Sequence, residues 1–196
     1  MPHFSELSPA ALRLVDATEG LIQDRGYNGF SYEDVSGLAG IKKPAVHYHF
    51  PKKEQLVTAV AQRYVFRHRQ QLLAIEGRTA DPVARLDAYA VLFEETYGKS
   101  RRLCLGAMLG AENKSLPDAV AAEAADFFQV NLRWLTDVFT AAQARGQADR
   151  AIPPEDLAET YLSALEGAMV VGRGLKSARG PAAVGRSMLA AMMRTS

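Results

Sequence analysis

Apolar residues recur at helical spacing along most of the chain. The first stretch lies between Ser8 and Gly26, where small and apolar side chains occupy the i, i+3, i+4 and i+7 positions of one helix face. Ser31 then stands three residues before an acidic residue, which is the pattern of an N-terminal helix cap, and Gly40 ends this second, short helix. A third helix of just under two turns is predicted over residues 43–49.

The same spacing continues through the rest of the chain. A fourth, longer helix is predicted from residue 52 to residue 75 or beyond, and prolines and glycines divide the remaining residues into further helices. These are predicted over residues 82–97, 103–113, 118–145, 154–175 and 181–193. Alanine is frequent and β-branched runs are rare, which favours helix over strand. The sequence therefore predicts an all-α fold.

The second and third helices, joined by a tight glycine turn and braced by a longer helix, form a predicted helix-turn-helix. The second helix of such a motif fits the major groove of DNA. The charge distribution points to the same segment, because residues 42–69 carry a net charge of +6 in a chain whose formal charge is +1. A local cationic segment in an otherwise weakly acidic chain is typical of a protein that contacts a polyanion with one end.

Several short motifs within about residues 10–60 follow a known arrangement. They are Gly26-Tyr27, Phe30-Ser31, Val35, Ala39-Gly40-Ile41, Pro44-Ala45-Val46-His47-Tyr48-His49-Phe50 and Lys53-Glu54-Gln55-Leu56. Together they resemble the DNA-binding domain of TetR/AcrR-family transcriptional regulators. The resemblance implies an N-terminal three-helix helix-turn-helix domain (residues 1–51) and a larger helical ligand-binding and dimerisation domain (residues 52–196). It also implies a repressor that binds a palindromic, double-stranded DNA operator as a homodimer and is released by a small-molecule effector.

The resemblance assigns DNA-binding roles to residues of the third predicted helix and its neighbours. Lys43, Pro44 and Ala45 match positions that reach base edges; lysine can bond guanine O6 or N7, whereas proline and alanine offer only apolar contact. Four further residues match phosphate-contacting positions: Ser31, His47, His49 and Lys53. The expected DNA-binding set is completed by Lys42 and Tyr48. Lys42 replaces a frequent capping serine. His47 replaces a usual tyrosine, so an imidazole would donate the phosphate hydrogen bond in a pH-dependent way.

A second set of residues is expected to line an effector pocket in the larger domain. Aromatic and methionine side chains on different helices can assemble an adaptable apolar pocket, although aromatic stripes at helical spacing more often fill a core. The expected pocket residues are Tyr89, Phe93, Tyr97, Cys104, Met108, Phe127, Asn131, Trp134 and Met169. The effector is accordingly expected to be an apolar or aromatic small molecule.

The last two predicted helices are expected to form the homodimer interface, within residues 154–195. These helices carry more apolar surface than a solvated terminus usually exposes. The side chains that contribute it are Leu162, Leu165, Met169, Leu189 and Met193. Small residues would let two helices approach closely: Gly167, Ala168, Gly172 and Gly174. Isologous pairing would then place two recognition helices about 34 to 36 Å apart, or a multiple of that distance.

Cys104, the one cysteine of the chain, follows Arg101 and Arg102 at the predicted start of a helix. Both surroundings place positive charge near the sulfur and favour the reactive thiolate. The segment 104–112 also resembles one shared by regulators of the family, some of which sense electrophiles with a cysteine at the matching position. A buried cysteine, by contrast, behaves as a small hydrophobe. Cys104 is expected to be either a sensor whose modification lowers operator affinity or a packing residue.

Other classes of protein are disfavoured by the sequence. No run of about 18 uncharged apolar residues could span a bilayer, and no secretion signal is evident, so a cytoplasmic protein is expected. His47 and His49 form an i, i+2 pair that points to different helix faces, and no metal or cofactor is expected. Three common enzyme signatures are missing: the Gly-x-Ser-x-Gly elbow, the Walker loop and the paired-histidine zinc helix. The rival interpretation is a small helical enzyme or ligand carrier that uses the aromatic pocket.

Overall fold

The computed structural model describes residues 4–98 and 100–193 of the chain. Within these residues the chain forms nine α-helices, two short 3₁₀ turns and no β-strand, which confirms the all-α prediction. The helices are α1 (Pro9–Arg25), α2 (Tyr32–Ala39), α3 (Lys43–His49), α4 (Lys53–Arg78), α5 (Pro82–Tyr97), α6 (Leu105–Ala111), α7 (Asp118–Ala144), α8 (Pro154–Leu175) and α9 (Pro181–Met192). The 3₁₀ turns are Phe4–Glu6 and Asn113–Ser115.

Most helix ends lie where local chemistry predicts them. Ser8 caps α1 by accepting a hydrogen bond from the Ala11 N–H (3.3 Å), and Gly26 ends that helix with a φ of 76°. The clearest difference is α6, which is shorter than the predicted 103–113 and begins only after Cys104. Glycines occupy two of its seven positions, and glycine is a poor helix former, so the helix does not extend further.

The structure divides into two compact units, and the first contains the described residues up to Arg67 together with Leu105–Phe127. In this unit α1 packs against α2, α3 and α6. Its core contains side chains with no exposed surface, among them Leu14, Ile22, Val35, Val46 and Leu56. Burial in this core stabilises α2 and α3, because helices this short are marginal on their own.

The second unit contains His68–Cys104 and the described residues from Phe128 onward. In it α5, α8 and α9 pack against one another. The Tyr161 hydroxyl of α8 donates to the Leu86 carbonyl of α5 (3.0 Å), and Gly172, eleven residues later, lies against Tyr97, eleven residues after Leu86. The two helices therefore run parallel.

The packing does not divide the chain at residue 51. Part of α4 and all of α6 belong to the first unit, because their apolar side chains contribute to its core. A functional boundary between residues 51 and 52 stays a prediction. Residues 1–3, 99 and 194–196, which fall within the two predicted domains, lie outside the described residues.

Two expected absences can be examined only where the structure describes the chain. There, no helix is both long and apolar enough to cross a membrane. The same residues contain no group of three or more His, Cys, Asp or Glu side chains placed to hold a metal ion.

Candidate DNA-binding surface and interior ligand site

Local hydrogen bonds build α2 and the turn that leads to α3. The backbone N–H and the hydroxyl of Ser31 donate to the Asp34 carboxylate (2.8 and 2.7 Å), and the Asp34 N–H donates back, so the predicted cap is a reciprocal capping box. These bonds lower the pKa of Asp34, with the largest effect from the Ser31 hydroxyl. Gly40 takes the left-handed conformation (φ 64°) that few other residues adopt without strain, which sets the direction of α3.

One side of α3 is anchored in the core of the first unit. Val46 and Phe50 are 0% and 2% exposed. The Tyr32 hydroxyl of α2 donates to the Phe50 carbonyl (2.7 Å), and its ring meets the His47 imidazole edge to face, with centroids 4.8 Å apart. Burial raises the pKa of Tyr32 to about 12, so the phenol keeps the proton that it donates. These contacts hold α3 in one orientation.

The other side of α3 faces solvent. Tyr48 is 82% exposed. Lys42, the residue before α3, forms no side-chain capping bond, as expected where a lysine replaces a serine. Lys43 Nζ lies 3.3 Å from Glu33 Oε2, an exposed ion pair of little energetic worth. We call the exposed or half-buried residues on this side the recognition surface: Lys42, Lys43, Pro44, Ala45, His47, Tyr48 and His49. Their individual roles in DNA binding stay predictions.

Two of the expected phosphate contacts already have partners within the first unit. Lys53 Nζ donates to the Phe30 carbonyl and lies 3.9 Å from the centroid of the Phe30 ring. Burial lowers the pKa of Lys53, against the opposing charges of Glu112 and Asp34. The ammonium group retains two N–H donors for a phosphate. Ser31 would have to exchange its hydroxyl bond to Asp34.

The cationic segment 42–69 is less available to a polyanion than its net charge suggests. Arg67 Nη2 donates to both carboxylate oxygens of Glu19 (2.6 and 2.7 Å), and Arg63 pairs with Asp16. These ion pairs join α4 to α1. The exposed lysines of the segment lie at its amino-terminal end, beside α3: Lys42, Lys43 and Lys52. Arg69, at the carboxyl-terminal end of the segment, is exposed as well, so the exposed cations lie at the two ends of the segment and the two arginines between them are paired.

Aromatic side chains form a cluster inside the second unit. The fully buried Tyr89 of α5 stacks on Trp134 of α7, with centroids 5.4 Å apart and an interplanar angle of 21°. Its ring also lies 5.2 Å from Phe93 and 6.3 Å from Tyr161. Trp134 Nε1 donates to Glu76 Oε1 (2.8 Å). We call Tyr89, Phe93, Trp134 and Tyr161 the aromatic cluster.

A buried polar chain is attached to this cluster. Asn131 Oδ1 accepts a hydrogen bond from the Tyr89 hydroxyl and lies 2.7 Å from His68 Nε2. Because an amide oxygen only accepts, His68 carries a proton on Nε2. Burial is the main cause that lowers the pKa of His68 and raises that of Tyr89 well above its ordinary value. Both groups are therefore neutral near pH 7.

Two expected pocket residues belong to the first unit instead. The buried Phe127 ring lies 5.5 Å from the Tyr64 ring, and Gly106 approaches Phe127 so closely that a Cβ atom would clash with it. Met108 packs against the core of the first unit. The expected pocket residues in the second unit are Tyr89, Phe93, Tyr97, Cys104, Asn131, Trp134 and Met169. Helical spacing identifies apolar positions but does not show which core they enter.

The surroundings of Cys104 differ from those predicted. The side chain is 1% exposed, and the residue precedes α6 rather than starting it. Arg101 directs its guanidinium to two carbonyls just after α8 (3.2 and 3.5 Å), and Arg102 is exposed. A titratable group close to the thiol is the Glu166 carboxyl. The predicted helix start at Cys104 is therefore wrong, and whether Cys104 is a sensor or a packing residue stays a prediction.

We expect the Cys104 thiol of the folded protein to react with a soluble maleimide at least about tenfold more slowly than a model peptide thiol at neutral pH. The physical reason is burial, which requires local opening before reaction. Protein unfolded in urea should react at the peptide rate, which provides the control. A packing role also predicts that Cys104→Ser binds DNA like the original chain. A folded-state rate equal to that of the peptide would instead support the sensor hypothesis.

The apolar residues predicted for the dimer interface divide between two faces. Four of them are only 0 to 6% exposed and therefore offer no surface to a second copy: Leu162, Leu165, Met169 and Leu189. Gly172 also faces inward, where the Tyr97 hydroxyl leaves no room for a Cβ atom. The exposed positions form what we call the outer face of α8: Gly167, Val170, Val171, Gly174 and Leu175. The predicted set of interface residues is therefore corrected. The spacing of apolar residues along a helix does not by itself show which of them face the interior of the chain.

Glu112 has a role that sequence reasoning missed. It follows α6, and its carboxylate accepts hydrogen bonds from the backbone N–H groups of Tyr27 and Asn28 and from the Asn28 side chain. Gly26 lies so close to this carboxylate that a Cβ atom would clash with it. The end of α6 is thereby tied to the loop that leads into α2. No local pattern signals a contact between residues 85 positions apart.

Comparisons with known proteins agree with this geometry. The family model "Bacterial regulatory proteins, tetR family" matches residues 14–60. The HTH-type transcriptional repressor DhaR of Mycobacterium sp. (strain GP1) is 26% identical over 166 residues, which are 83% of this chain and 82% of that protein.

Solved structures extend the likeness over the whole chain. A TetR-family transcriptional regulator from Agrobacterium tumefaciens is 29% identical, with a TM-score of 0.86 over 94% of this chain and 98% of that one. AibR, solved in complex with isovaleryl coenzyme A and operator DNA, shares the fold at 21% identity, with a TM-score of 0.70 over 93% of this chain and 97% of that one. The matched segment, the relative and the shared fold together support a TetR-family transcriptional regulator.

Proposed function

We propose that this regulator is a homodimeric repressor that binds a palindromic operator and is released by a small-molecule effector. The observation that carries the proposal is the recognition surface, which α3 presents to solvent while Val46 and Phe50 hold the helix in place. The repressor name of DhaR and the operator complex of AibR support this proposal.

DNA recognition in this proposal uses few base contacts. Lys43 is the long hydrogen-bonding side chain among the expected base readers, and Pro44 and Ala45 supply apolar contacts such as those to thymine methyl groups. Lys42 and Lys52 add charge next to α3. One subunit would thus bind a single half-site with low specificity and low affinity. A dimer that binds two half-sites at once gains affinity.

Release by the effector is a shift between conformations. The chain passes from the second unit into the first between Cys104 and Leu105, and Glu112 at the far end of α6 is bonded to the loop before α2. An effector that binds the second unit would favour a conformation of the dimer in which the two α3 helices no longer fit adjacent half-sites.

Operator titration tests the proposal. Full-length protein is titrated against an inverted repeat taken from the DNA beside its coding region and against a random duplex, by fluorescence anisotropy at several salt concentrations. We expect affinity for the repeat to exceed that for random DNA by about a thousandfold or more and to fall with salt. Equal affinity for both duplexes would reject the regulator function proposed here and favour a ligand carrier or enzyme.

Lys43→Ala is expected to weaken operator binding by about 1 to 3 kcal/mol and to relax specificity, because it removes a base contact. Lys53→Ala is the comparison variant; it should weaken all duplexes alike and reduce the salt slope by about one unit, as loss of a phosphate contact does. Thermal unfolding of both variants is measured alongside, since Lys53 also bonds the Phe30 carbonyl. Equal losses of specificity in the two variants would contradict these roles.

A further inference from the structure

Glu166 places a carboxyl group inside the second unit. It falls in the apolar stripe of α8, at helical spacing from Leu162, Leu165 and Met169. Both carboxyl oxygens are buried, and neither accepts a hydrogen bond from an N–H or O–H group of the described residues. Burial raises the pKa of Glu166 to about 7, which a hydrogen bond from the Cys104 thiol partly opposes. Among the described residues, the hydrogen-bonding group beside this carboxyl is therefore a thiol, which is a weak donor.

The carboxyl group acts electrostatically on the aromatic cluster. Its charge contributes to the raised pKa of Tyr89, which is a member of that cluster on α5. The Tyr97 hydroxyl is a second buried polar atom without a hydrogen bond among the described residues. It lies against Gly172, six residues beyond Glu166 and so about 9 Å further along α8. Two buried polar groups without an oxygen or nitrogen partner among the described residues thus lie along the contact between α5 and α8.

A buried carboxyl group whose hydrogen-bonding neighbour is a weakly donating thiol is unfavourable in either protonation state. The ionised form loses hydration that a thiol does not replace, and the neutral form leaves its O–H donor without an oxygen or nitrogen acceptor among the described residues. An ammonium ion would restore both charge balance and hydrogen bonding, and aromatic rings beside it attract cations as well. An anionic ligand would be repelled by the carboxylate, and an uncharged apolar ligand would leave it unpaired.

We propose that the effector of this regulator is an organic amine whose ammonium group binds the Glu166 carboxylate and whose apolar body contacts the aromatic cluster. The inference rests on the proposed function, because it assigns a chemical class to the effector of that function. The Tyr97 hydroxyl offers a further hydrogen bond to a polar group at the far end of a longer ligand.

Three probes of matched shape test the charge requirement: phenethylamine, 2-phenylethanol and 3-phenylpropanoate. Binding to the full-length protein is measured by calorimetry at pH 8, and by the fluorescence of Trp134, the single tryptophan, which stacks on Tyr89. We expect phenethylamine to bind about 10- to 100-fold more tightly than the other two, the range typical of hydrogen bonds to a charged group.

Glu166→Gln removes the charge and keeps the shape of the side chain. This variant should lose the preference for the amine while it binds 2-phenylethanol as before. Glu159→Gln, at an exposed position of the same helix, is the matched control and should retain the preference. Circular dichroism of each variant confirms that the helices are intact.

Three results would overturn the proposal: equal affinity for the amine and the alcohol, an amine preference that survives in Glu166→Gln, or no binding of phenethylamine at millimolar concentration. Operator binding is measured on the same preparations. If the ligand-free protein does not bind the operator, the proposed function is rejected, but the evidence for amine binding remains. Amine binding that does not release a bound operator would reject the effector role.

Discussion

Val171→Asp is expected to make the protein monomeric at micromolar concentration and to lower its affinity for a palindromic operator by about two to four orders of magnitude. Val171 is 59% exposed in the middle of the outer face of α8, beside Val170 (53%) and Leu175 (74%). Gly167 and Gly174 on the same face leave open space where side chains would otherwise stand, so a second helix can approach closely. An aspartate there would bury an unpaired charge between two copies.

The loss in operator affinity follows from bivalence. A dimer binds its second half-site at a high effective concentration, which a monomer lacks, and such linkage is worth about 10² to 10⁴ in affinity. Sedimentation velocity measures the oligomeric state, and anisotropy titration measures the affinity. Val91→Asp, at a partly exposed position of α5 (37%), is the control and should remain dimeric. An original chain that sediments as a monomer, or a Val171→Asp variant that sediments as a dimer, would contradict the interface.

The first unit is largely predictable because its signals are local. The Ser31–Asp34 box, the left-handed Gly40 and the Pro44 near the start of α3 each act over a few residues, and each is visible in the sequence. The apolar positions Val46 and Phe50, four apart, then determine which side of α3 is buried. The recognition surface follows as the remaining side of a helix whose limits are already set.

The interior of the second unit was predictable only in part, because its contacts join residues far apart in sequence. The sequence predicted that Tyr89, Trp134 and Phe127 line one pocket. Tyr89 stacks on Trp134, but Phe127 packs in the other unit. The pairing of His68 with Asn131 spans 63 residues and had no local signal. Glu166 did have one, since an acidic residue within an apolar stripe is unusual and indicates a functional position.

The last prediction concerns stability, and it needs neither DNA nor ligand. The pKa of Glu166 is about 7 in the folded protein and has an ordinary value of 4.5, so folding favours the protonated form. The stability that protonation contributes is fully present below pH 4.5 and is lost as the pH rises through about 7. A difference of this size between the two pKa values corresponds to about 3 kcal/mol. The described groups that act on the carboxyl are the Cys104 thiol, which hydrogen-bonds to it, and Tyr89. Burial raises the pKa of Tyr89 well above its ordinary value, so that Tyr89 stays neutral over this range.

Glu166→Gln has no proton to lose, so it should lack this pH-dependent loss of stability. Between pH 5 and pH 8.5 the free energy of unfolding of the original chain should fall by about 3 kcal/mol relative to that of the variant. Urea unfolding at four pH values measures the difference, at one fixed protein concentration because the stability of a dimer depends on it. Glu159→Gln, which is exposed, should follow the original chain at every pH. Parallel curves for Glu166→Gln and the original chain would mean that water or a local rearrangement already solvates the carboxylate, and the cost that an amine is proposed to remove would not exist.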